Sequence, residues 1–145
     1  MITFNNSDLN YNLRDKKRIR LLISKLFIEE RFSLKGLSIV FTSDEYLLEL
    51  NKKFLNHNYY TDILTFDLLD EQKNVLGELY ISIERTKENG KLNNCSHHLE
   101  ILRVIIHGCL HLCGYKDHSK NLKNKIHKRE DYYLQKYLTD VSRGT

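Results

Sequence analysis

The chain has 145 residues, 41% hydrophobic and 29% charged, which is the composition of one globular domain over residues 1–145, long enough to bury a core without disulfides. Its 23 Lys+Arg against 19 Asp+Glu leave a net charge of +4, compatible with an RNA-facing surface but not diagnostic of one. No run approaches the ~20 apolar residues of a membrane span, and the first residues lack a signal-peptide pattern, so Cys95, Cys109 and Cys113 are expected to be reduced thiols of a cytoplasmic protein.

After a short apolar start, residues 14–30 place Ile19, Leu22, Ile23, Leu26 and Phe27 at helical spacing, with Arg14, Lys16, Lys17, Arg18 and Arg20 crowding the first turns. Residues 37–42 alternate and are rich in β-branched side chains, as a strand requires. Ser43 or Asp44 can cap a second helix running to about Asn56. A polar, aromatic loop over 57–61 precedes a strand over 62–69, a turn over 70–74 and a partner strand over 75–83, in which Gly77 marks a bulge or a close approach. Ser96 can cap the most apolar helix, residues 99–113, which Gly114 ends. A last helix runs from about Ser119 to Leu138. This order predicts an α+β domain, a small mixed four-stranded sheet covered by helices.

Chemistry concentrates between Val104 and His118. His107 and His111 stand four apart on a helix, so both imidazoles project from one face and can reach one metal ion, as on a zincin helix. Gly114 turns the chain back and offers Asp117 or His118 as a third ligand. Three protein ligands with an open fourth position are the pattern of a catalytic zinc. Seven His in this length make one such pair a modest signal alone; the Gly stop and two further donors strengthen it. Cys109 and Cys113 lie about 200° around the helix from the pair and pack toward the core. A zincin peptidase needs Glu after its first His, where this chain has Gly108, which argues against proteolysis. No phosphate-binding glycine loop is present, so no nucleotide cofactor is expected.

The run His107-Gly108-Cys109-Leu110-His111-Leu112-Cys113-Gly114-Tyr115, followed by Asp117 and His118, resembles the signature of the YbeY family, bacterial ribosomal RNA maturation factors described as metal-dependent endoribonucleases. Leu50-Asn51, Thr61-Asp62-Ile63-Leu64-Thr65-Phe66 and Gly77-Glu78-Leu79-Tyr80-Ile81-Ser82 are similar to further family segments in the same order. The resemblance implies a zinc ion, a cytoplasmic location and single-strand-specific cleavage in late maturation of the small-subunit RNA 3′ end and in ribosome quality control. The implied partners are ribosomal RNA or the small ribosomal subunit, with no membrane. Three positions depart from the family pattern. Asp117 stands where the family has its third His, with His118 one residue later; Leu55 replaces an Arg linked with activity; and Glu78 replaces Asp. Asp117 is the expected third ligand, with His118 as the alternative. The alternative function is a ribosome-associated RNA-binding assembly factor with a structural metal. The residue that moves protons is not identified by spacing.

Among the remaining residues, Lys120, Lys123, Lys125, Lys128 and Arg129 join the first helix's cations as either solvated faces or a phosphate-binding surface. Tyr59 and Tyr60 either stack on bases or cover a core edge. His57, His97, His98 and His127 read as ordinary surface residues.

Overall fold

The computed structural model describes the backbone of residues 1–144 and the side chains of residues 1–139. Strands β1 (Ile2–Asn6), β2 (Ser33–Thr42), β3 (Ile63–Asp67) and β4 (Asn74–Ser82) form one sheet in the order β1-β2-β4-β3. The first two pairings are parallel and the β3–β4 hairpin is antiparallel, giving the mixed sheet the sequence predicts. Helices α1 (Lys16–Glu29) and α4 (His97–Leu112) cover one face, and α5 (Lys120–Gly144) packs on both of them. Their apolar stripes meet Val75, Leu79 and Ile81 of β4 in a single core that includes Ile23, Phe27, Ile101, Ile105 and Tyr133. Helix α2 (Asp44–Leu55) contacts β3 and β4 through Leu47 and Leu48, which are buried with Leu64 apart from that core, on the opposite face.

Several local choices follow the expected chemistry. Ser43 and Ser96 cap α2 and α4 through side chains that accept from the Tyr46 and Leu99 amides. Gly77 is a close approach rather than a bulge: a Cβ there would stand 2.7 Å from Leu112 Cδ1. The sheet's register irregularity falls instead between Leu34 and Gly36.

Two boundaries and one helix differ from expectation. β2 begins at Ser33, four residues before the alternating run, because its parallel partner β4 supplies hydrogen bonds back to Asn74. β3 stops at Asp67, whose carboxylate accepts from the Leu69 and Asp70 amides and turns the chain. Helix α3 (Ile83–Leu92) was not anticipated. It buries only Thr86 and Gly90, so it carries no apolar stripe to read, and Ser82 nucleates it by accepting from the Arg85 amide.

Candidate metal centre

Helix α4 lies against the hairpin so closely at Gly108 that a Cβ there would meet Leu79 Cδ2 at 2.8 Å and Ile63 Cδ1 at 2.9 Å. The residue between the histidines therefore packs on the sheet, and His107 and His111 project from the helix's outer side, half-buried. Past Leu112 the helix closes with a Schellman motif: the Gly114 amide donates to the His111 carbonyl and the Tyr115 amide to the Leu110 carbonyl, with Gly114 at φ 93°. This turn sends the chain back along the helix end and delivers Asp117 to the histidines. Asp117 Oδ2 stands 3.3 Å from His111 Nε2 and 3.5 Å from His107 Nε2, and the two Nε2 atoms are 2.9 Å apart. Among the described residues, these three form the one group of potential ligands close enough to share an ion.

The protons are assigned by the other nitrogens. His111 Nδ1 lies 2.8 Å from the Tyr115 carbonyl, which can only accept, so Nδ1 carries a proton. His107 Nδ1 lies 2.5 Å from Glu130 Oε2, a carboxylate that is 1% exposed, and donates likewise. In their neutral forms both rings then direct bare Nε2 lone pairs at each other and at a carboxylate oxygen. Three acceptors converge and no donor lies among them, an arrangement that requires a cation at its centre, either a metal or a proton on one ring. Burial pulls the His107 imidazole down, but its hydrogen bond to Glu130 and the charges of Glu130, Asp117 and Asp62 raise it overall. Glu130 moves the opposite way: burial opposes its charge, yet His107, Arg103 and His127 hold it below the usual carboxylate range. Arg103 donates to Glu130 at 3.0 Å and to Asp131 at 2.8 Å, and His127 reaches Glu130 at 3.2 Å. Asp62, at the entry to β3, is half-buried; burial raises its carboxyl, partly offset by the charge of His107.

A family model described as Endoribonuclease YbeY matches residues 1–138. The chain belongs to the YbeY endoribonuclease family. Curated YbeY relatives include proteins of Cytophaga hutchinsonii, 41% identical over 92% of this chain and 93% of the relative, and Flavobacterium psychrophilum, 37% identical over 93% and 95%. A third, from Karelsulcia muelleri, is 45% identical over 81% of this chain and 80% of its own. A solved Thermotoga maritima structure matches at a TM-score of 0.66 and 26% identity, covering 98% of this chain and 92% of that one.

Against the YbeY pattern, the structure brings Asp117 to the histidine pair and leaves His118 exposed outside the group. Leu55 ends α2 and is 41% exposed. Glu78 lies on the sheet face away from α4, since its neighbour Gly77 faces Leu112, and accepts from the Tyr80 hydroxyl. Cys109 and Cys113 are buried and free; burial raises both thiols, Cys113 to about 12, and neither lies in the group of potential ligands. All four histidines read as surface residues have partners, His57 being bonded to the Tyr59 hydroxyl. His97 meets the Thr86 hydroxyl, half-buried His98 meets that of Tyr137, and exposed His127 reaches Glu130. Tyr59 stacks on His57, and the Tyr60 hydroxyl donates to Glu45 while Arg85 lies over its ring. Arg129 is absorbed into ion pairs with Glu29 and Glu30, whereas Lys120, Lys123, Lys125 and Lys128 stay exposed.

Sequence reasoning missed Glu130 and the Tyr115 carbonyl. One signal for Glu130 was present: Arg103, four residues before His107 in an otherwise apolar helix, needs a carboxylate partner.

Proposed function

We propose that this YbeY-family endoribonuclease, a hydrolase acting on RNA, cleaves single-stranded ribosomal RNA in late maturation of the small-subunit 3′ end and in ribosome quality control, in the cytoplasm. We further propose that it works with one zinc-like divalent ion held by His107, His111 and Asp117. The observation that carries the metal assignment is the convergence of three proton-free acceptor atoms on one point. Such an ion supplies Lewis acidity at a phosphoryl oxygen and makes a nearby water more acidic.

The chain's own residues set the rest. Glu130 and the Tyr115 carbonyl hold the two imidazoles with Nε2 facing Asp117. Asp62 and Glu130 are the carboxylates outside the trio whose charges His107 feels; Glu130 is engaged by three donors, whereas the raised carboxyl of Asp62 suits it to exchange a proton with the attacking water or the leaving oxygen. The exposed lysines at the start of α5 follow directly on the Asp117 turn and can neutralise RNA phosphates.

The test is elemental analysis and RNA cleavage on purified protein and four variants. His107→Ala, His111→Ala and Asp117→Ala should each lose most bound metal, and His118→Ala should keep it. Cleavage of a single-stranded ribosomal RNA fragment should stop with chelator and return on adding zinc. Metal retained in the first three variants would refute the ligand assignment. Leu55, at the position of the family's Arg, favours the second reading of an assembly factor with a structural metal. That reading stands if RNA binds and metal is present but no cleavage occurs.

A further inference from the structure

We propose that Tyr115 is a positioning residue for the candidate metal centre: its carbonyl fixes the His111 ring, and its hydroxyl ties that carbonyl to Glu30 at the end of α1. The inference rests on the ligand assignment above and adds what holds one ligand in place. It starts from the helix end, where the Tyr115 amide donates to the Leu110 carbonyl at 3.0 Å. With its amide held there, the same residue turns its carbonyl back to His111 Nδ1 at 2.8 Å. A carbonyl can only accept, so this bond selects the His111 tautomer whose Nε2 is free to bind an ion. Asp117 follows two residues later, so whatever anchors Tyr115 also sets where the third acceptor returns.

The anchor comes from the far side of the helical layer. The Tyr115 hydroxyl donates to Glu30 Oε1 at 2.9 Å, a contact spanning 85 residues. Glu30 is 10% exposed at its side chain, and its second oxygen accepts from the Tyr133 hydroxyl at 2.5 Å and from Arg129 Nε at 2.7 Å. A carboxylate held by two donors from α5 is a fixed point, and Tyr115 is pinned to it while its ring packs half-buried against the core. Two of the hydroxyls on Glu30 thus differ in one respect. Tyr115 continues to His111, whereas Tyr133 reaches that ring only indirectly, by sharing the hold on Glu30 with Arg129.

That difference gives the experiment, using Tyr115→Phe and Tyr133→Phe, each of which removes one hydroxyl from Glu30 and keeps the ring. Zinc affinity is read by competition with a chromophoric chelator. The protonated nitrogen of His111 is read in the metal-free protein by long-range 1H–15N correlation at a pH where the ring is neutral. Thermal unfolding is followed alongside. Tyr115→Phe should weaken zinc binding about tenfold, the low end of the usual effect of a residue that orients a ligand, and should reduce the Nδ1–H population of His111. Tyr133→Phe should lower the melting temperature and change both other readings clearly less than Tyr115→Phe does, since Arg129 still holds Glu30. Equal zinc affinity in the unmodified and Tyr115→Phe proteins, equal losses in both variants, or a His111 proton on Nε2 in the unmodified protein would overturn the proposal. If the unmodified protein binds no zinc yet the His111 proton still responds more to Tyr115→Phe than to Tyr133→Phe, the ligand assignment falls and the positioning stands.

Discussion

Glu130 lies 23 residues beyond His107 and on another helix, so no spacing rule connects them. Its burial makes the connection physical: a carboxylate 1% exposed must be hydrogen-bonded, and His107, Arg103 and His127 supply the donors. Replacing Glu130 with Gln should weaken metal binding by about 10- to 100-fold, measured by chelator competition, because a neutral amide replaces the charged acceptor that orients the His107 ring. The pair also predicts a pH profile for the metal-free protein. His107 is raised from 6.5, so its contribution is complete below that value and is lost as pH rises through its folded pKa. Glu130 is lowered from 4.5, so its contribution is complete above that value and is lost as pH falls through its folded pKa. Melting temperature in chelator should therefore include a plateau contribution between these two values that declines on both sides, and Glu130→Gln should flatten both limbs. The candidate group His107, His111 and Asp117, with His118 as the alternative to Asp117, was legible because its members are local. The proton assignments were not, since they depend on acceptors brought in by α5 and by a backbone turn.

Helix α4 was the most legible element, for its Ser96 cap, its apolar run and the Gly114 stop are all written within twenty residues of chain. What its sequence does not announce is why Gly108 sits where it does, whereas Gly77 of β4 is readable as a bulge or a close approach and is the latter. Both are contact points between α4 and the hairpin, where the sheet leaves no room for a side chain. Gly77→Ala should be destabilising by about 1–3 kcal/mol in denaturant unfolding, because its Cβ would press Leu112 from below and approach the Phe66 carbonyl at 3.3 Å. Gly108→Ala should cost less, about 1 kcal/mol, since its neighbours are the ends of Leu79 and Ile63 and Ala's better helix propensity offsets part of the strain. Helix α3 escaped sequence reading for the opposite reason: it has nothing apolar to repeat, and its place depends on the Ser82 cap and on contacts with α4.

At the scale of the whole molecule, the hairpin was readable as two adjacent strands, but the sheet order was not. Placing β4 between β2 and β3 depends on a parallel pairing with a strand some forty residues earlier, for which local pattern carries no signal. Charge is also redistributed by the fold. Arg129 is spent on Glu29 and Glu30 and Arg18 on Asp15 and the Tyr137 carbonyl, while the lysines at the start of α5 face solvent. Affinity for single-stranded RNA should therefore fall with salt by ~0.7 log unit per log unit of salt for each phosphate neutralised. Replacing Lys123 and Lys128 with Ala should reduce that slope without lowering the melting temperature, whereas Arg129→Ala should lower the melting temperature. The buried apolar side chains of α5, Ile126, Tyr133, Leu134 and Tyr137, have a further consequence, because the same helix holds Glu130 and steadies Glu30. The three acceptors all come from residues 107–117, and a carbonyl of that stretch aims His111, yet Glu130, which aims His107, arrives only when α5 docks. An ion held there should leave on the timescale of that helix's undocking: its escape rate should saturate as chelator is raised, at the rate with which the amides of α5 exchange with deuterium, while the central strands remain protected.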